Sequence, residues 1–568
     1  LLEEVAKLRE GDFDEKLIEA TINNYKMQLM RSFEENDSRA ILYVYSFISG
    51  ADWADEVARL DRMSKITKQD VVEWANKYLG PESYAIIYKR EGKDPDEQKI
   101  AAPKITPIVT NRDSQSEFLS EIQTSQVQPI EPVFVDYKKD MSQFEAQPGI
   151  DVLYKKNETN DIFTLIYVFN TGTENDPALN LAFNYLSYLG TDKMTAEEIA
   201  SEMYDIACSF YMNAGANQSS IQITGLSENM GKAMEIVEGL IAGAKPDEAI
   251  LENCKADMLK SRADAKLNQS RCFGALQRYL FYGGDFIRRT TLTDPALQAL
   301  TSEQLLAKIG GLMGKQHEVL YYGPQKETEI KSALAEHHKV AADLQPLEKK
   351  FSTLLPTDAN KVVLAQYDAK QLYYLQFSNR GEKFDVAADP EITLYNEYFG
   401  GGMNTIVFQE MREARGLAYT AWATLATPSN ANGDYSYYAF IATQNDKMQK
   451  AVEAFDDIIN NMPESEKAFG IAKEALVSRL RTERTVKDGV LWSYLRARDL
   501  GLDAPRDKQI FEKVQSMTLD DVKAAQQKWV KGRKYVYGIL GDIQDLDLNY
   551  LKTLGPIQTV SQEEIFGY

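Results

Sequence analysis

One pattern occurs three times in this sequence and constrains the fold more than any other feature. It reads "KITKQDVVEWANKYLGPESYAIIYK" from Lys65, "ALTSEQLLAKIGGLMGKQHEVLYYG" from Ala299 and "SMTLDDVKAAQQKWVKGRKYVYGIL" from Ser516. Each copy holds a threonine followed three residues later by Asp or Gln, at Thr67/Asp70, Thr301/Gln304 and Thr518/Asp521. In such a capping box, each side chain accepts a backbone N–H at the start of a helix. Each copy therefore predicts a capped helix, a short turn and a strand that closes a unit.

The spacing of the copies predicts how many units the chain holds. Thr67, Thr301 and Thr518 lie 234 and 217 residues apart. A second pattern has a similar spacing: "DPALNLAFNYLSYLGT" begins at Asp176 and "DPEITLYNEYFGGG" at Asp389. In both, Asp is a natural N-cap and Pro occupies the first helical position. Because the first closing pattern comes after only 66 residues, we expect two complete units preceded by the tail of a third, in a longer protein.

The order of elements inside each unit predicts the fold class. The complete units open with paired strands in "VLYKKNETNDIFTLIYVFNTG" and "KVVLAQYDAKQLYYLQFSNRG", continue through helices and return to a strand. Asn432-Gly433 separates two further β-type runs and predicts a hairpin. The predicted class is α+β, with two repeated units whose largely antiparallel sheets are covered by helices. The helical tail of the third unit, with a last strand at residues 84–88, precedes them.

Composition and charge exclude several classes of partner. The chain has 64 Lys and Arg against 85 Asp and Glu, for a net charge of −21 and no basic tract, which argues against nucleic acid. No apolar run is long enough to span a membrane. The cysteines Cys208, Cys254 and Cys272 are far apart, so they predict neither a disulfide framework nor a Cys-x-x-Cys metal site. We interpret them as small buried hydrophobic residues.

Three consecutive glycines, Gly400, Gly401 and Gly402, lie in "EYFGGGMNTIVFQEMREARGLAYTAWATL". No Lys follows them, and they fit neither G-x-x-x-x-G-K-[ST] nor G-x-G-x-x-G, so a phosphate cradle is excluded. We expect them to end the helix that begins at Asp389 through positive φ angles, and to start a closely packed second helix.

The same stretch resembles the C-terminal-domain motif of the pitrilysin/insulinase family of zinc metallopeptidases, whose relatives include mitochondrial processing peptidase. The shared pattern is a Gly-Gly-Gly-Met turn, an amphipathic helix and Arg-Gly-Leu-Ala-Tyr, and the repeat length fits over essentially the whole chain. The resemblance implies four related α+β domains in two halves that close as a clamshell around a peptide. Residues 1–92 would then end the second domain, and the Pro-, Gln- and Ser-rich residues 93–135 would link the halves. Residues 136–345 and 346–568 would form the third and fourth domains.

The family's zinc motif is His-x-x-Glu-His on a helix, with a third ligand from a later Glu. Two histidines four residues apart share a helical face, and the Glu between them acts as general base. This chain has three histidines, His317, His337 and His338, and none is in that pattern. We interpret His317 as standing alone before a strand, and all three as surface or structural residues.

Counting back from Gly190 places the family's zinc motif on the helix that follows Asp176. Leu181 and Tyr185 then occupy the histidine positions and Asn184 the Glu position, while the later Glu position lies near Ser261. The resemblance therefore implies a degenerate third domain. No zinc is expected on this chain, and the metal is expected in a missing N-terminal portion or a partner chain.

Arg412 and Tyr419 match the Arg and Tyr of the family that reach across to the scissile bond. A guanidinium or a phenol hydroxyl can donate hydrogen bonds to a substrate carbonyl as water attacks it. The ordinary alternative is that Arg412 pairs with a nearby acid and Tyr419 begins a buried strand. Because the spacing of the pair matches within the longer motif, we favour the functional role.

Three functions fit these observations. The chain is predicted to be the C-terminal half of a zinc metalloendopeptidase that cleaves peptides in a closed chamber, inactive as a fragment. Alternatively, it is a non-catalytic subunit that pairs with a zinc-bearing partner, or a peptide-binding pseudoenzyme. The incomplete first unit favours the first. The expected partners are a peptide substrate and the N-terminal half or partner subunit, and the resemblance suggests the periplasm or cell envelope.

Overall fold

The computed structural model of the chain describes residues 1–80, 82–90, 92, 116–126 and 128–568. The chain divides into two compact units. One comprises Leu1–Glu19 and Ala54–Glu131, and the other comprises Ala20–Trp53 and Pro132–Tyr568. Among the described residues, no helix has both the length and the apolar character needed to cross a bilayer. Of the predicted linker, residues 93–115 lie outside the described residues.

Helices alone precede the first strand in the described part of the chain. They are α1 (Leu2–Glu10), α2 (Lys16–Phe33), α3 (Asn36–Ser49), α4 (Trp53–Val57), α5 (Arg59–Met63), α6 (Lys68–Tyr78), α7 (Glu117–Thr124) and α8 (Tyr137–Asp140). The predicted capping box at the start of α6 is confirmed, since Thr67 N–H donates to Asp70 Oδ2 at 2.8 Å and Asp70 N–H to Thr67 Oγ1 at 3.2 Å. In the smaller unit α6 also contacts α1, because Asn76 Nδ2 donates to the Arg9 carbonyl at 2.7 Å.

The predicted last strand of the tail is wrong. Residues 84–90 form no strand, and the side chains of Ile86 and Ile87 are exposed. A β-type sequence forms a strand only where its backbone groups pair with a neighbouring strand. The described residues of the smaller unit supply no such neighbour.

The first sheet of the larger unit has the spatial order β1-β2-β6-β3-β5-β4. Its strands are β1 (Ser142–Gln147), β2 (Ile150–Lys156), β3 (Ile162–Phe169), β4 (Cys208–Ala214), β5 (Ser219–Leu226) and β6 (His317–Gly323). Only β2 and β6 pair in parallel. The expectation that β2 and β3 pair with each other is corrected, because β6, which is buried along its whole length, lies between them and pairs with both.

One face of this sheet packs against helices from the same part of the chain. Those helices are α9 (Leu179–Leu186), α10 (Ala196–Asp205), α11 (Met230–Gly243), α12 (Glu248–Lys266), α14 (Asp294–Ala299), α15 (Ser302–Met313) and α16 (Glu327–His337). The intervening helix α13 (Gln269–Thr290) packs elsewhere. The predicted capping box of Thr301 and Gln304 starts α15. Asp176 caps the turn before α9 rather than the helix itself: its Oδ1 accepts from Ala178 N–H at 3.0 Å, and α9 begins at Leu179.

The second sheet has the order β12-β7-β11-β8-β10-β9 and repeats the topology of the first in five of its six strands. Its strands are β7 (Lys361–Gln366), β8 (Gln371–Lys383), β9 (Thr420–Ala426), β10 (Asp434–Gln444), β11 (Val536–Gly541) and β12 (Ile557–Val560). The edge strand differs, because β12 comes from the end of the chain and pairs parallel with β7, whereas β1 precedes β2 and pairs antiparallel with it. The predicted hairpin is confirmed, since β9 and β10 pair antiparallel on either side of Asn432-Gly433. The opening strands β7 and β8 are again separated, here by β11. Both sheets are largely antiparallel, as predicted, and the fold is α+β.

The remaining helices belong to the second repeat and end the chain. They are α17 (Asp389–Tyr395), α18 (Ile406–Phe408), α19 (Met448–Asn460), α20 (Glu466–Thr482), α21 (Gly489–Asp499), α22 (Arg506–Val514), α23 (Leu519–Ala525), α24 (Leu548–Leu554) and α25 (Gln562–Phe566). The π-helical turns Asn396–Gly400, Gln409–Ala414 and Gln526–Val530 continue α17, α18 and α23. Short 3₁₀ turns occupy Ser227–Asn229, Val386–Ala388, Asn445–Lys447 and Ile543–Asp545.

Asp389 does not cap α17 as predicted. The helix begins at Asp389 itself, and the carboxylate is buried against Arg506, whose Nε donates to Oδ2 at 2.5 Å. Burial raises the pKa of this carboxyl, and the positive charge of Arg506 opposes that shift. A buried ion pair thus replaces the solvent-exposed cap that the Asp-Pro sequence suggests.

Each sheet is covered on its other face by a helix from the opposite repeat. Leu491 and Leu495 of α21 pack on Leu153 and Leu320 of the first sheet. Reciprocally, α13 packs its apolar side chains Cys272, Leu276 and Leu280 on β7, β8 and β11 of the second sheet. This exchange joins the two repeats into one compact unit. The strands of the two sheets fall within residues 136–345 and 346–568, and the domain boundaries themselves stay a prediction.

The exchange predicts that a change in α21 weakens the first sheet. Leu491 is fully buried, so Leu491→Ala should lower the free energy of unfolding by about 2–5 kcal/mol. Hydrogen exchange should then quicken in β2 and β6 before it quickens in β8 and β10. Ile471→Ala, at a half-exposed position of α20, is the control and should change little. Faster hydrogen exchange that is confined to the second sheet would contradict the reciprocal packing of the helices.

Candidate functional site

The triple glycine lets the end of one helix approach the edge of the second sheet. A Cβ atom on Gly400 would lie 2.6 Å from the Ala423 carbonyl oxygen of β9, so only glycine fits there. This close approach is to strand β9, whereas the sequence led us to expect it between the two helices. The predicted positive φ angles are wrong: none of the three glycines has one, because the backbone approach, and not a left-handed turn, requires glycine at this point.

Asn396, in the same π-helical turn, covers part of the free edge of β9. Its Nδ2 donates to the Leu425 carbonyl at 3.0 Å, and its Oδ1 accepts from Leu425 N–H at 2.9 Å. The amide thus mimics a neighbouring strand at one position of the edge. These bonds fix the position of β9 against α17.

The segment from α18 to β9 sets the positions of Arg412 and Tyr419. Val407 and Met411 are buried and anchor the helical segment. Gly416 has a φ of 57°, its N–H donates to the Arg412 carbonyl at 3.2 Å, and Leu417 N–H donates to the Met411 carbonyl at 2.9 Å. This left-handed glycine ends the helix and turns the chain back toward β9.

The turn brings Arg412 and Tyr419 together on the surface. Arg412 Cζ lies 5.1 Å from the centre of the Tyr419 ring. The Arg412 side chain is 41% exposed and Tyr419 is 70% exposed. Tyr419 precedes β9 instead of beginning a buried strand, and the nearest acid of Arg412 is Glu413, whose Oε1 is 3.8 Å from Nε. In the described part of the chain, neither the guanidinium nor the phenol hydroxyl forms a hydrogen bond.

A third side chain of this group, Phe408, was missed by the sequence reasoning. Arg412 Cζ lies 5.1 Å from the centre of the Phe408 ring as well. The available signal was the spacing, because residues four apart on a helix lie on the same face. The site therefore consists of one cation over two aromatic rings, with its N–H donors free.

The positions at which the resembled family carries its zinc-site residues hold neither His nor Glu in this chain. Leu181 and Tyr185 are buried, and the Tyr185 hydroxyl accepts from Asp247 N–H at 2.7 Å and lies 2.8 Å from Ser302 Oγ. Asn184 and Ser261 are exposed. Among the described residues, no group of three or more His, Cys, Asp or Glu side chains could hold a metal ion. Zinc does not fit these positions of the chain.

The second repeat carries the same tyrosine at the corresponding place. Tyr398 hydroxyl donates to the Pro463 carbonyl at 2.7 Å and accepts from Ser465 N–H at 3.1 Å, at the start of α20. The neighbouring Glu397, which corresponds to Asn184, forms an ion pair with Arg479 at 2.5 Å. In both repeats a phenol hydroxyl therefore holds the first residues of the long helix that follows.

His317 is not alone, as the sequence suggested, but contacts His338 in the core. Their Nε2 atoms are 2.8 Å apart, and His317 Nδ1 lies 2.8 Å from the Lys315 carbonyl, to which it must donate. His317 Nε2 is therefore the acceptor, and His338 donates to it. His338 Nδ1 is 2.5 Å from Glu238 Oε1. Burial and the nearby His338 lower the pKa of His317 to about 4.

This lowered pKa predicts a pH dependence of stability. Between about pH 6.5 and about pH 4, His317 is protonated in the unfolded chain but neutral in the folded chain. The free energy of unfolding therefore falls by about 3 kcal/mol as the pH falls through this range. Asp456 acts in the opposite sense, because burial raises its pKa to about 6. The difference in urea midpoint between the wild type and His317→Gln should therefore shrink with acidification, whereas His337→Gln should follow the wild type. A constant difference between pH 7 and pH 4 would contradict this.

The cysteines are buried and free, in agreement with the sequence. Burial raises the pKa of Cys208 to about 12 and raises those of Cys254 and Cys272. They carry no sign of nucleophilic or redox chemistry.

Comparison with known proteins places this geometry in context. The model of the family described as "Peptidase M16 inactive domain" matches residues 316–476, which include Arg412 and Tyr419. An uncharacterized zinc protease of Streptomyces coelicolor is 22% identical over 266 residues, which cover 44% of this chain and 56% of that protein. An uncharacterized zinc protease of Rickettsia bellii is 23% identical over 312 residues, which cover 53% of this chain and 70% of that protein. The chain thus spans little more than half the length of the Streptomyces relative.

Solved structures share the fold at low sequence identity. The peptidase M16 inactive domain from Pseudomonas fluorescens has a TM-score of 0.57 at 18% identity, covering 71% of this chain and 98% of its own. The periplasmic protease PqqL from Escherichia coli has a TM-score of 0.54 at 12% identity, covering 95% and 62%. The ferredoxin protease FusC, solved with Arabidopsis ferredoxin, has a TM-score of 0.57 at 13% identity, covering 95% and 60%.

Proposed function

We propose that the chain belongs to the pitrilysin-like peptidase M16 family and is the C-terminal portion of a zinc metalloendopeptidase. Its part is to bind the substrate and stabilise the transition state from the side opposite the metal. The observation that carries this proposal is the pair Arg412 and Tyr419, exposed side by side within the family match. Their free N–H and O–H donors suit an oxygen that gains negative charge.

The chemistry follows from these donors. Attack of water on a peptide carbonyl moves negative charge onto the carbonyl oxygen. A guanidinium stays charged under all working conditions and offers several N–H groups in one plane. The Tyr419 hydroxyl adds a donor from the start of β9. Donors that are fixed before the reaction stabilise this oxygen without reorganising during the reaction.

Zinc, which activates water in such enzymes, would be held outside this chain. The apolar, amide and hydroxyl side chains of Leu181, Asn184, Tyr185 and Ser261 support this division. We propose that the N-terminal portion of the same protein supplies the metal, and that both halves close around the peptide. The coverage of only 60–62% of PqqL and FusC supports a longer protein.

A two-chain arrangement is the second candidate. The match to a domain described as inactive, with 98% of the Pseudomonas chain covered, favours it specifically. In that case a zinc-bearing subunit takes the place of the N-terminal half. Without any such partner, the chain would act as a peptide-binding pseudoenzyme.

The structural neighbour PqqL is a periplasmic protease, which supports a periplasmic or envelope location for this chain. FusC with its ferredoxin supports a polypeptide as the substrate.

Substitution of Arg412 tests the proposed function. In the protein together with its zinc-bearing portion, Arg412→Ala should lower kcat/KM by about 10²–10³-fold, because one transition-state donor is lost. Tyr419→Phe should lower it less, and zinc content should stay at the wild-type level in both variants. Peptide hydrolysis and metal analysis by mass spectrometry measure these effects.

Arg415→Ala is the matched control, since Arg415 lies three residues away and already pairs with Glu410 and Asp457. It should retain near wild-type turnover. The chain alone, with Zn²⁺ added, should cleave no peptide. Loss of zinc in parallel with activity, or chelator-sensitive cleavage by the chain alone, would overturn the proposal.

A further inference from the structure

The guanidinium of Arg412 lies against two rings, and the carboxylate of Glu413, 3.8 Å from Nε, is too far to accept a hydrogen bond from it. Arg412 Cζ lies over both the Phe408 and Tyr419 rings, each 5.1 Å away. The two rings come from different elements, because Phe408 ends α18 and Tyr419 immediately precedes β9. A cation within about 6 Å of a ring centre is attracted to the face of the ring. Contacts from two directions restrict the orientations of the side chain.

Other arginines of the same part of the chain are held differently. Arg415 lies 3.2 Å from Asp457 Oδ2, and Arg479 lies 2.5 Å from Glu397 Oε1. A carboxylate that holds an arginine also occupies the N–H groups that a substrate oxygen would need. A ring face holds the charge without accepting those hydrogen bonds in the plane of the guanidinium. Arg412 is therefore both restrained and free to donate.

Phe408 is suited to this task by its place in the helical segment. The flanking Val407 is buried and Met411 is fully buried, so the backbone beneath the ring is fixed. Phe408 itself is only partly buried, which leaves ring surface for Arg412. An exposed arginine on a flexible stem would otherwise lose rotamer freedom when it binds a substrate.

We propose that Phe408 is a positioning residue that orients Arg412 toward the substrate carbonyl. This inference rests on the proposed function of Arg412 and deepens it. Phe408 does not touch the substrate; it acts through the guanidinium. The ligand chemistry that fits is a single oxygen acceptor in the plane of the guanidinium, as in the carbonyl of an extended peptide.

A double-mutant cycle tests this role. Phe408→Leu and Phe408→Met remove the ring but keep apolar volume, and each should lower kcat/KM by about 3–10-fold, as expected for one cation–π contact. Phe408→Trp keeps a ring and should stay near the wild type. In an Arg412→Ala background, Phe408→Leu should cause no further loss, because the group that it orients is gone. Two variants without the ring are compared, so that a folding defect in one of them does not determine the result.

The outcomes separate this inference from the proposed function. If Arg412→Ala leaves kcat/KM unchanged, the proposed function fails and the positioning role fails with it. If Arg412→Ala is costly but Phe408→Leu has the same effect in both backgrounds, only the positioning role is overturned. If Phe408→Trp is as impaired as Phe408→Leu, the ring face is not what matters, and the inference is wrong.

Discussion

The two sheets of the larger unit depend on an exchange of helices between the repeats. Each sheet has two apolar faces, and its own repeat covers only one of them. Helix α21 buries Leu153 and Leu320 of the first sheet, and α13 buries Leu375 and Val536 of the second. Burial of these faces removes apolar surface from water that neither repeat could cover alone. The helical segment with Phe408 and Arg412 packs on the second sheet as well, on the face opposite α13.

Local chemistry made part of the fold predictable. The capping boxes of Thr67, Thr301 and Thr518 form as expected, because their bonds join residues only three apart. Strand neighbours were not predictable in this way. β6 enters between β2 and β3 from more than a hundred residues away, and residues 84–88 have strand-like composition but no strand to pair with. Which strands pair depends on contacts between distant parts of the chain, so the β-propensity of the side chains alone does not determine it.

The site shows the same division between local and long-range information. The Arg-Gly-Leu-Ala-Tyr motif pointed to Arg412 and Tyr419, and Gly416 supplies the turn that brings them together. Phe408 needed the geometry of the helical segment, since no motif position named it. The contact between His317 and His338 required the packing of α16 against the sheet. Conversely, the sequence alone identified Leu181 and Tyr185 at the positions of the family's two histidines, and the structure adds that both side chains are buried in the core.

In the proposed function, this chain faces the metal across the substrate. The most direct measurement is a structure of the zinc-bearing protein with an uncleaved peptide, trapped by a substitution in the metal-bearing portion. We expect an N–H of Arg412 or the hydroxyl of Tyr419 to lie within about 3.2 Å of the scissile carbonyl oxygen. A peptide enclosed beside the zinc, with both side chains too distant for a direct or water-bridged hydrogen bond to that carbonyl, would contradict the proposed function.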